Sequence, residues 1–161
     1  MDSIKKEEFA LRIQQANPTQ LVVINFELAV AFLDGALHVL DTDPEAYRTQ
    51  IDKAKDALAQ LTQSLDFSVT LSHDFYDIYR YVGELLNRAF FTTDVAVARS
   101  TTQEARELMD TLLTGWHSVA EQHAHVPPVA KPGPTVYAGL TYGRDGADEY
   151  VDDDGSRGYT V

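Results

Sequence analysis

The chain has 161 residues, in which 13 Lys and Arg face 25 Asp and Glu, for a formal net charge of -12. Such a surplus excludes bulk attraction to nucleic acid or to an anionic membrane surface and leaves room for a basic partner. Cysteine is absent, which excludes disulfides and thiolate chemistry and fits a reducing, cytoplasmic compartment.

The opening residues, MDSIKKEEF, hold no apolar run, so no cleavable signal is expected. IKKEEFALRIQQ then reads as a short helix with Phe9 and Ile13 one turn apart. In ANPTQ, Pro18 disfavours helical geometry at Asn17, which is predicted to cap the next helix with Pro18 in its first turn. That helix, QLVVINFELAVAFLDGALHVL, is apolar on nearly every side, interrupted by Asn25, Glu27, Asp34 and His38. A helix with such a coat must be covered all round. Its polar interruptions argue against a membrane span, and no membrane insertion is expected.

DTDPE ends this helix and starts another, with Asp43 as cap and Pro44 first. The third helix carries an apolar stripe at Tyr47, Ile51, Ala54, Leu58, Leu61 and Leu65, in steps of four and three. The fourth repeats it with Leu71, Phe75, Ile78, Val82, Leu85 and Ala89. A fifth starts near the predicted cap Asp94 and runs through Ala98, Thr101, Ala105, Leu108, Leu112 and Trp116. Amphipathic helices joined by short loops make antiparallel neighbours. The expected fold is all-α, an antiparallel up-and-down four-helix bundle with a short N-terminal helical segment, over residues 1–125. From 126 to 161 Pro, Gly and Asp dominate, which predicts a flexible acidic tail. Its Tyr137, Leu140, Tyr142, Tyr150 and Tyr159 are unusual for a purely solubilising tail.

Catalytic chemistry finds no foothold. A di-metal bundle site needs Glu-x-x-His on two helices, and the motif does not occur. His117, His123 and His125 read as a solvated helix end, and Asp152 to Asp154 lack the spacing of a calcium loop. Ser100, Thr101 and Thr102 read as ordinary polar helix residues. No cofactor, metal or enzymatic activity is expected.

Several stretches, in order, resemble the flagellar secretion chaperone family FliS over about residues 9–122. ANPTQLVVINFELAVAFL is similar to the family's opening of the first long helix, at Ala16, Asn17, Pro18, Leu21, Phe26, Glu27 and Ala29. KAKDALAQLTQSLD is similar to its Lys-Ala and Ser-Leu-Asp helix end, at Lys53, Ala54, Leu61, Ser64, Leu65 and Asp66. IYRYVGELLNRAFFTTD resembles its tyrosine-containing helix at Ile78, Tyr79, Tyr81, Leu86, Ala89 and Asp94, and Trp116 stands where a tryptophan closes the last helix. The chain departs from the family at FSVT, which replaces a longer Gly-Gly-Glu loop, at Gly83 and Glu84 in place of a basic pair, and at Phe90 in place of Asn. From Asp94 to Trp116 it is about four residues longer, roughly one helical turn that keeps the stripe in phase.

The resemblance implies a binding function. Such chaperones hold the C-terminal segment of flagellin, keep it from polymerising, and support its delivery to the flagellar export gate. It further implies that one side of helix 20–40 (Val22, Val23, Phe26, Val30, Leu33, Leu37) packs in the core. The other (Leu21, Ile24, Leu28, Ala31) would line a groove, covered by residues 4–14 until cargo arrives; the sequence leaves the two sides interchangeable in these roles. Phe9, Ile13, Leu21, Ile24, Asn25, Leu28, Tyr76, Tyr79, Leu86 and Phe90 are the candidates for that groove. A different bundle adaptor with another protein cargo shares the same architecture, and a ligand-binding bundle enzyme is disfavoured by the missing carboxylate-histidine set.

Overall fold

A computed structural model describes residues 3–128. Five α-helices follow in chain order: α1 (Ser3–Gln15), α2 (Pro18–Val39), α3 (Pro44–Gln63), α4 (Leu71–Phe91) and α5 (Val95–Gln122). The described residues contain no strand. The expected tail lies outside them, apart from Val126, Pro127 and Pro128.

The helix starts follow from local chemistry. Asn17 accepts from the Gln20 amide at 2.9 Å while the Gln20 side chain accepts from the Asn17 amide, a complete capping box with Pro18 behind it. Asp43 accepts from the Ala46 amide at 3.0 Å, and Asp94 from those of Ala96 and Val97. At the start of α4, Thr70 makes no side-chain cap, and FSVT forms a short turn held by Asp66 accepting from Ser68.

α2 packs on α3 and α5, and α4 packs on the same two helices, so each long helix meets two others. α1 lies on α2. The all-round apolar coat of α2 is thereby covered from three directions. Gly35 marks the close approach of α3, since a Cβ there would meet the Gln50 side-chain oxygen at 3.1 Å. By length and a mean hydropathy of 1.6, α2 is apolar enough to cross a membrane, so its polar interruptions do not exclude a span as expected. Burial of 56% of that window inside the protein is what a core helix requires.

Where α3, α4 and α5 meet, the buried Tyr47 hydroxyl bonds the Thr102 hydroxyl at 2.8 Å and reaches the carbonyls of Ala89 and Ala98 at 3.3 and 3.4 Å. Thr102 is fully buried, contrary to its reading as an ordinary polar helix residue. The hydroxyl pair links α3 to α5 across the interior. Tyr47→Phe is expected to lower stability by about 1–3 kcal/mol, because the Thr102 hydroxyl loses its partner without gaining water. Urea unfolding of the variant measures the loss. Arg106 bridges to Asp34 at 2.8 Å and Arg99 to Asp41 at 2.6 Å, tying α5 to α2 and to the α2–α3 connection along the surface.

Candidate functional site

α1 touches the rest of the protein through a narrow stripe. Phe9 and Ile13 are its buried residues, one turn apart on one face. The opposite face exposes a second apolar pair, Ile4 and Leu11, two turns apart, at 77% and 56%. Beneath α1, Arg12 donates from both guanidinium ends to Glu27 on α2, at 2.5 and 2.8 Å, and its guanidinium also lies 5.5 Å from the Phe9 ring centre. The hydrogen bond that Arg12 donates to Glu27 raises the Arg12 pKa above its ordinary value. Two clefts flank the contact. One is lined by Phe9, Glu27, Val30, Ala31, Asp34 and Leu113, the other by Arg12, Gln15, Ala16, Gln20 and Ile24. α1 therefore lies along a seam between α2 and α5.

Burial of Phe9 and Ile13 contributes about 1.5–3 kcal/mol each. The part-exposed ion pair adds less than about 1 kcal/mol after screening. Ordering thirteen residues opposes this sum with about 1 kcal/mol per residue, only partly offset by helical hydrogen bonds. α1 is consequently the least firmly held helix described.

The structure divides the groove candidates. Ile24 and Ala31 lie under or beside α1, as Phe9 and Ile13 do from above. Leu28 is fully buried one turn before Phe32, whose ring lies 5.9 Å from the Lys53 ammonium on α3, so it belongs with the α3 contact. Asn25 is buried and Leu21 half-buried on that same side of the helical wheel. Leu86 is buried on α4. Tyr79 is buried with its ring 6.2 Å from Phe26 and 6.1 Å from Phe75, whereas Tyr76 is exposed with its ring edge-on to Phe67 at 5.6 Å. Phe90 sits at the other end of the protein, in a cleft with Leu40, Pro44, Tyr47 and Val95, its ring 4.9 Å from that of the exposed Phe91. The candidates are thus dispersed: some at the α1 seam, some in the body of the protein, Tyr79 at an aromatic cleft, and Phe90 at the other end.

Sequence reasoning missed the residues that extend the aromatic cleft. Phe67, Val69 and Leu71 are exposed, at 47%, 51% and 57%. Three apolar residues in and beside a loop that should be polar were the available signal. Among the described residues, no group of three or more His, Asp or Glu is placed to hold a metal ion.

The described residues are all helical, with the N-terminal helix laid over the more deeply buried α2, a form compatible with helix-in-groove binding. A family model described as flagellar protein FliS matches residues 2–123, and the chain belongs to this family of chaperones in flagellar assembly. No curated protein and no solved structure matches it.

Proposed function

We propose that this chain is an export chaperone that binds the C-terminal helical segment of flagellin in the cytoplasm, prevents its premature polymerisation and supports its delivery to the flagellar export gate. The observation that supports this most is α1 itself: an amphipathic helix lying on the α2–α5 seam through Phe9 and Ile13. A helix-in-groove partner uses the same physics, apolar anchors one turn apart with a few polar residues setting register. Ile24 and Ala31 then form the floor that cargo inherits, and Glu27 sets register through a basic residue in the place of Arg12. Tyr76, Tyr79 and Phe90 are secondary contacts, reached when the segment continues around the protein.

The short connections between consecutive packed helices favour an antiparallel up-and-down bundle for the four long ones, ending near residue 125 and followed by a separate tail. About 500 Å² of apolar surface buried on cargo contributes about 12 kcal/mol. Ordering a disordered segment removes much of that and leaves a dissociation constant in the micromolar to nanomolar range, suited to a cargo that must be released.

Titration of the full chain with a peptide spanning the C-terminal helical segment of flagellin tests the reading. Saturable binding, with a gain of helical signal in the peptide, is the expected result. Absence of binding, with capture of another secreted protein in its place, sinks the flagellin assignment and leaves an adaptor with a different cargo.

A further inference from the structure

The aromatic cleft is a second apolar site, distinct from the seam under α1. About 260 Å³ in volume, it is lined by Val22 of α2, Leu65 and Val69 of the α3–α4 connection, Leu71 and Phe75 of α4, and Trp116 of α5. Phe75 and Trp116 have ring centres 5.9 Å apart, and Tyr79 forms part of the wall. The indole Nε1 of Trp116 is buried and donates to no acceptor among the described residues. With Leu71 and Val69 more than half exposed at the rim, the cleft presents an apolar surface to a docking segment.

The chain itself leaves the described body at the same end. Asn17 donates from Nδ2 to the carbonyls of His123 and Val126, at 2.9 and 3.1 Å, which fixes the exit beside the start of α2. Val22 lies five residues along α2 from that point, about 7.5 Å of helix. Residue 136 follows Pro128 by eight residues, a reach of up to about 26 Å.

The composition beyond the exit has two parts. From Val126 to Arg144 the charged side chains are Lys131 and Arg144, both basic, and the apolar ones gather at Val136, Tyr137, Leu140 and Tyr142. From Asp145 onward the chain is acidic. The cleft carries Asp66 on its wall, in a protein of net charge -12, so it favours the first part and repels the second. A second copy would bring the same negative charge to the contact.

We propose that Val136–Tyr142 of this chain docks in the aromatic cleft, where Phe75 and Trp116 offer it an apolar surface. The short tether supplies an effective concentration of about millimolar, so a segment with only millimolar affinity is docked about half the time. The consequence is a self-capped cleft that an outside apolar segment must compete to enter.

Trp116 is the chain's single tryptophan, so its fluorescence reads the cleft alone. In the full chain with Tyr137→Ser and Leu140→Ser, acrylamide quenching of Trp116 is expected to rise about twofold, as the shielded half is released. Adding a peptide of residues 131–144 should reverse the rise, while Tyr150→Ser with Tyr159→Ser should leave quenching unchanged. Unchanged quenching in the first variant overturns the proposal. So does shielding that depends on protein concentration, which would identify a second copy as the occupant, or an equal rise in the control variant. The measurement contains no flagellin, and its failure leaves the cargo assignment standing.

Discussion

Phe9→Ala with Ile13→Ala is expected to tighten binding of the flagellin C-terminal segment by about ten- to a hundredfold while leaving the remaining helices folded. The two side chains are the buried anchors of α1, and without them the seam is open for a larger share of the time. Apparent affinity scales with the open fraction, and each tenfold corresponds to about 1.4 kcal/mol of lost cover. The double variant should also bind more of an apolar dye, because Ile24 and Ala31 lose their roof. Deleting residues 1–15 should act in the same direction. Unchanged affinity together with unchanged dye binding would show that α1 is no competitor for cargo. A fall in affinity would show that Phe9 and Ile13 contact cargo directly.

Phe26→Ala should have the largest effect on stability, a loss of about 3–5 kcal/mol. Phe26 is fully buried, and its ring lies 6.2 Å from Tyr79 on α4, a helix that α2 does not otherwise approach. The truncation leaves a cavity in the fully buried core between α2 and Tyr79. Against a total stability of about 5–15 kcal/mol, such a loss brings the protein near its unfolding midpoint. A urea midpoint that falls with an unchanged slope is the expected record. Tyr76→Ala, at an exposed position on the same helix, should cost less than about 1 kcal/mol.

Much of the fold was legible from end signals and periodicity. Asn17, Asp43 and Asp94 cap where Pro or an apolar stripe follows them, and Tyr47, Ile51, Ala54, Leu58 and Leu61 are buried in the order their spacing predicts. Short-range chemistry of this kind is written within a few residues. The candidate site was legible only in part. Phe9 and Ile13 could be placed on one face by spacing, but whether Leu28 shared that face with Ile24 depended on how the neighbouring helices pack around α2. Periodicity also misjudged Leu71, the first residue of its stripe, which the turn before α4 leaves at the cleft rim. Thr102 looked like a surface hydroxyl because its partner, Tyr47, is fifty-five residues away.

Asn17 has a mechanical consequence. One amide side chain starts α2 through its oxygen and holds the carbonyls of His123 and Val126 through its nitrogen. The break between α1 and α2 and the end of α5 are thus joined through one side chain. Loss of that amide is expected to loosen both places at once.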